Sequence, residues 1–155
     1  MTFYITYFYN IRFLSSNMIP VSTAMYDPAW FHNNLGSKHV FLDSRGVYNG
    51  VRYPDFSPGK LTVQDCNKNC DQNPPNCTSL KAYRDYIYSL DFKKAYKYFT
   101  DLAAVLKKTR KLRYEPEIVL LVHEKPDNPC SERSVLMDWF HDNGVDLIEF
   151  EVKNG

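Results

Sequence analysis

The run "IVLLV" at residues 118–122 constrains this chain more than any other stretch. Five aliphatic residues in a row do not alternate. An extended segment there must bury both faces, as a strand in the middle of a parallel sheet does. Pro116 and Glu117 precede the run and His123 and Glu124 follow it, so its length is that of a strand, far short of the ~20 residues that cross a bilayer. Downstream, "SERSVLMDWFHDNG" reads as a helix ended by Asn143 and Gly144, and "VDLIEFEV" alternates as a last strand. Strand, helix and strand at this spacing form a βαβ unit, whose crossover is expected to be right-handed.

The rest of the chain fits a sheet with helices. Residues 3–9 are β-branched and aromatic, which favours a first strand. Residues 18–26 read as a second extended segment, and Pro20 restricts that part to a strand start or an edge. "DPAWFHNNLG" reads as a short helix capped by Asp27, with Pro28 in its first turn and Gly36 at its end. "VFLDSRGVYNGVRYP" has two short apolar runs around Ser44-Arg45-Gly46, a hairpin signal. Residues 57–78 carry Pro, Asn, Asp and Cys without apolar period and read as a long loop. Two helices follow: one with Leu80, Tyr83, Ile87 and Leu90 at three- to four-residue spacing, the next with Phe92, Tyr96, Phe99, Leu102, Val105 and Leu106. The expected fold is a single α/β domain over residues 1–155. It is Rossmann-like, with a mostly parallel sheet flanked by helices, a hairpin and a cysteine-rich loop insertion.

Net charge is +1, which gives no ground for nucleic acid or an anionic membrane as partner. Lys107, Lys108, Arg110, Lys111 and Arg113 gather at the end of one helix, where cations suit the helix dipole and water. The apolar start is broken by Thr and Tyr and meets Arg12 too soon for a signal peptide, so the expected location is the cytoplasm. In that compartment the four cysteines point to free thiols, metal ligands or reactive groups rather than disulfides. The oligomeric state is not legible.

The segment "HEKPDNPCSER", residues 123–133, carries the chemistry. Ligands of open α/β sheets bind beyond the carboxyl ends of the strands, and this segment leaves the carboxyl end of the buried strand. It places Cys130 at the start of the next helix, where free amides and the positive dipole end stabilise an anion and lower a thiol pKa. Cys130 is thus the candidate nucleophile, with Glu124 or His123 to move protons. Ser131 and Arg133, with Arg12, are candidate ligand contacts. The plainer account makes Ser131 a cap, Arg133 a surface charge and Cys130 a small buried filler.

The segment "IVLLVHEKPDNPCSERSVLMDWF" resembles the C-terminal motif of the Domain of Unknown Function 488 family, in which an aliphatic strand runs into a Glu-Lys-Pro-like turn, a cysteine, an arginine and a helix. "YITYFYNIRFLSSNMIPVSTAMYDPAWF" is similar to the start of that family. The resemblance implies an α/β, Rossmann-like domain whose cysteine and arginine fall on Cys130 and Arg133. The turn glutamate falls on Glu124, and the N-terminal motif on Asn10 and Arg12. Many relatives carry histidine directly after the cysteine, where this chain has Ser131 and Glu132, which puts in doubt a mechanism that needs an adjacent imidazole.

Cys66, Cys70 and Cys77 form C-x3-C-x6-C. A structural zinc site needs a fourth ligand, which Cys130, His32, His39, His123 or His141 would have to supply. Zinc, unligated thiols and a redox pair all stay open. Arg45 and Arg52, beside Tyr48 and Tyr53, suit a flap that stacks on a base or clamps a phosphate. No GxGxxG, Walker loop, HExxH or GxSxG is present, which counts against the common nucleotide cofactors, P-loop hydrolysis and α/β-hydrolase chemistry. Three functions remain: an enzyme acting on an anionic or nucleotide-like small molecule, a module that binds or sequesters such a ligand without turnover, and a zinc-stabilised interaction protein.

Overall fold

A computed structural model describes residues 1–33, 48–58, 78–126 and 131–152. Glu117–Val122 forms the strand expected of the aliphatic run (β5), and Ile118 through Val122 have no solvent exposure. It is central because a neighbour occupies each edge: β1 (Phe3–Tyr7) on one side and β2 (Met18–Ser22) on the other. With β3 (Phe31–Asn33), β4 (Tyr48–Arg52) and β6 (Leu147–Glu149) the sheet has the order β3-β4-β2-β5-β1-β6, and every pairing is parallel.

Among the described residues three helices cover one face: α1 (Thr78–Tyr88), α2 (Phe92–Arg110) and α3 (Glu132–Asp142). Phe3, Ile5, Ile118, Leu120 and Val122 meet Tyr83, Phe99, Leu136 and Phe140 there. The opposite face, carrying Val119 and Leu121, is covered thinly by a 3₁₀ turn, Phe8–Phe13 (η1), and by Ala24, Trp30 and Phe31. The connections after β4 and β5 run toward β6 over the helical face, and those after β1 and β2 run toward β3 over the thin face. Opposite directions on opposite faces are what a single crossover hand demands.

Asp91 caps α2 by accepting from the Lys94 amide at 3.3 Å. Ser131 caps α3, accepting from the Arg133 amide at 3.1 Å. Gly144, at φ 81°, ends α3 as the Asn-Gly pair predicts.

Three local expectations need correction. Pro20 lies in mid-strand, buried, between β4 and β5. It is tolerated because its ring nitrogen and its carbonyl face β4, where the ladder is formed only at Val21 and Ser22. Gly50 makes that approach possible, since a Cβ there would stand 2.6 Å from the Pro20 carbonyl oxygen and 2.8 Å from the Phe31 ring. The segment read as a helix after Asp27 instead turns at Pro28, with the Phe31 amide donating to the Pro28 carbonyl at 3.0 Å, and enters the edge strand β3. Asp27 caps no helix; its carboxylate accepts from the Ser22 hydroxyl. Tyr48–Arg52, the second arm of the hairpin reading, runs parallel to both β3 and β2. Residues 40–47, which hold the first arm and the turn, lie outside the described residues, as does the cysteine-rich loop from residue 59 to 77.

Among the described residues no helix is long and apolar enough to cross a membrane.

Candidate functional site at the carboxyl end of the sheet

Where adjacent parallel strands send their connections to opposite edges, a crevice opens at their carboxyl ends. Here those strands are β2 and β5, and the crevice is closed by local bonds. Thr23 donates to the Leu121 carbonyl through both its amide, at 3.1 Å, and its hydroxyl, at 2.9 Å. His123 Nε2 is 2.6 Å from the Tyr26 carbonyl oxygen, and its ring tilts against Phe8 at 4.8 Å. Arg52, at the end of β4, donates Nη2 to the carbonyls of Ala24 and Met25, so its guanidinium ties down this connection.

The groups with chemistry to spare lie on the helical side, between β5, α3 and β6. Side chains alternate along a strand, so His123 and Glu124 leave β5 on opposite faces. Glu124 turns toward α3, where Ser131 Oγ is 3.4 Å from its Oε2. Arg133, in the first turn of α3, folds back over the strand end. Its Nη1 donates to the carbonyls of Glu124 and Lys125, each at 3.0 Å, and lies 3.3 Å from Ser131 Oγ. Its Nε forms an ion pair with Glu149 Oε1, without the alignment of a hydrogen bond. Arg133 is only 6% exposed, yet its Nη2, like Glu149 Oε2, has no hydrogen-bond partner among the described residues. Burial pushes the Glu149 carboxyl up, and Arg133 pulls it part of the way back.

Beside this pair sits Glu132. Loss of water raises its carboxyl, the charge of Glu124 raises it further, and Arg133 and a backbone amide offset only part, leaving it pushed up to about 8. Tyr83, wholly buried, donates to the Phe56 carbonyl at 2.6 Å, and its phenol is raised well above the ordinary range, chiefly by burial and then by the charge of Glu132. The result is a carboxyl raised by loss of water in the same helical turn as a buried guanidinium whose Nη2 has no partner among the described residues.

Of the residues anticipated for the site, the structure brings together Glu124, Ser131 and Arg133. It sets His123 and Arg52 on the crevice to one side. Asn10 is buried at η1 and spends its amide on Thr6 Oγ1 at 2.8 Å. Arg12 lies exposed at the end of η1, over the Tyr9 ring at 4.1 Å, with Nε donating to the Tyr9 carbonyl at 2.9 Å. Cys66, Cys70, Cys77, Cys130, Arg45 and His39 lie outside the described residues. Among the described ones no group of three or more His, Cys, Asp and Glu side chains is placed to hold a metal ion. His32 is exposed at the edge of the sheet, and His141 lies 3.7 Å from Asp146 on the surface.

Sequence reasoning missed Glu132 and Glu149. For Glu149 a signal was there: Leu147 and Glu149 share one face of an alternating strand, so an inward Leu147 puts an acid inward too, and a buried acid demands a cation. Glu132 gave no such sign, because an acid in the first turn of a helix is ordinarily a solvated favourable charge.

No family model, curated protein or solved structure matches the chain.

Proposed function

We propose that this protein acts on an anionic or nucleotide-like small molecule at the carboxyl end of β5, with Cys130 as nucleophile. The observation that carries the reading is the buried Arg133, whose Nη2 lacks a partner among the described residues at the start of an eleven-residue helix. A preorganised guanidinium at the positive end of a helix suits a phosphate or carboxylate. Glu132 supports turnover, since a carboxyl near 8 is an acid matched to neutral pH. In this reading Glu124 takes the thiol proton and the sulfur bonds the electrophilic atom of the ligand. Glu132 then gives its proton to the departing group. His123, engaged with the Tyr26 carbonyl, is left out of proton transfer. The resemblance to the Domain of Unknown Function 488 family points to the same cysteine and arginine.

The test is alkylation by iodoacetamide at pH 7, resolved by peptide mass mapping, with and without inorganic phosphate. Cys130 is expected to react faster than Cys66, Cys70 and Cys77, and to be shielded by phosphate. If Cys130 reacts no faster than the other three, it is no nucleophile. Should phosphate still shield it in that case, a binding module without turnover is the better account.

A further inference from the structure

The carboxyl end of β1 carries an aromatic surface that the proposed reaction does not use. Tyr7 ends β1 in register with Val122, the last residue of β5, while Ile5, two residues earlier on the same face, pairs with Glu149. Phe3 and Ile5 point to the helical face, so Tyr7 does too. It therefore leaves the sheet one strand spacing, about 5 Å, from the Val122 end of β5 and next to the strand that supplies Glu149 to Arg133. The Tyr7 ring stacks on Tyr9, with centroids 5.8 Å apart and planes at 16°. Arg12 lies over Tyr9 at 4.1 Å, and Phe13 adjoins it at 6.2 Å. Tyr9 is 50% and Phe13 47% exposed, and the terminal nitrogens of Arg12 have no partner among the described residues. Single exposed aromatics are ordinary, but a half-exposed pile topped by a guanidinium is a contiguous stacking surface.

We infer that the ligand of the proposed site is a nucleotide, its base stacked on the Tyr7–Tyr9–Arg12 pile and its phosphate held by Arg133 at the positive end of α3. This inference rests on the reading of Arg133 as an anion site and adds the base to it. An anion with no planar group would leave the pile unused. A nucleic-acid polymer would call for a run of cations along this edge, and Arg12 is the cation of the pile.

Isothermal titration of the full chain with AMP, ribose 5-phosphate and adenosine tests it, in wild type, Tyr9→Ala and Tyr9→Trp. AMP is expected to bind more tightly than ribose 5-phosphate. Tyr9→Ala should weaken AMP by about 5- to 150-fold, the range for loss of one stacking partner, and leave ribose 5-phosphate unchanged. Tyr9→Trp should retain AMP binding, which shows that the loss in Tyr9→Ala is a loss of stacking and not of folding. If AMP and ribose 5-phosphate bind equally and Tyr9→Ala changes neither, the base site is wrong while the anion site stands. If neither phosphate binds, or adenosine binds as tightly as AMP, the anion site itself is wrong and the nucleotide falls with it.

Discussion

Arg133 and Lys107 each hold a carboxylate, Glu149 and Glu115, at opposite ends of the same sheet. The first pair has side chains 7% and 20% exposed, the second 42% and 79%. Around Lys107 the amino end of the sheet opens into a hollow of about 630 Å³, lined by Met1, Ala103, Leu112 and Pro116 with Lys108 and Thr100. That volume suits a small molecule. What the amino end lacks is polar strain, because its charges are met by water. At the carboxyl end the Arg133 guanidinium has been taken out of water, Glu149 and Glu132 are partly withdrawn from it, and Arg133 Nη2 and Glu149 Oε2 have no hydrogen-bond partner among the described residues. Room is common in small α/β domains. Buried polar groups with unused valence are costly, and that cost is the better sign of a working site.

The comparison breaks most easily at Arg133. Replacing it by methionine leaves Glu149 buried without its cation and strips the carbonyls of Glu124 and Lys125 of a donor. The expected loss is about 3–5 kcal/mol in urea denaturation. Replacing both partners, Arg133→Met with Glu149→Leu, should recover most of it, because an apolar pair carries no unpaid desolvation. A single-variant loss below about 1 kcal/mol would mean that the pair is wet and that the two ends do not differ as described.

Between the two ends, Gly50→Ala gauges the sheet itself. The new methyl would press on the Pro20 carbonyl and the Phe31 ring, neither of which is a flexible side-chain tip. A destabilisation of about 1–3 kcal/mol is expected. A neutral result would show that β3 and β4 can separate without cost.

Glu132 sharpens the contrast through pH. Its folded value is about 8 against 4.5 for the free side chain. A raised folded value means the native state binds this proton more tightly than the unfolded chain does. The stabilisation is complete below about 4.5 and is lost as pH climbs through 8. Glu132→Gln cannot lose a proton, so the stability of wild type relative to this variant should fall by on the order of 4 kcal/mol between pH 5 and 9. If that difference is flat across the range, Glu132 is solvated and is no candidate acid.

The parts of this molecule legible in the sequence are those where one strong local pattern has no rival. The aliphatic run at 118–122 can only be buried, and the alternation after Gly144 can only be a strand at this spacing, so the β5–α3–β6 unit follows. Residues 27–33 misled because capping and first-turn signals at Asp27 and Pro28 serve a turn as well as a helix, and the pairing of Phe31 with Tyr48, distant in sequence, decides between them. Pro20 misled in the same way: whether its missing donor matters depends on Gly50, thirty residues away. Within the site, Arg133 was legible from its place after the strand. Its carboxylate partner was not, because the pairing crosses from helix to sheet, and Glu132 was hidden because its shift comes from neighbours.

The smallest effect belongs to the amino end. Lys107→Met removes a cation whose carboxylate, Glu115, is 79% exposed and turns to water when released. A surface pair of this kind contributes about 0–1 kcal/mol, and the aliphatic stem of methionine keeps the contact with the wall of the hollow. Stability in urea should therefore change by less than about 1 kcal/mol, and added salt should shrink even that, since exposed charges are screened. The same salt titration on the Arg133 pair should do little, because buried charges are screened far less. Were Lys107→Met to cost as much as Arg133→Met, or were both pairs equally sensitive to salt, burial would not be what separates the two ends. The carboxyl end would then have no claim to be the working one.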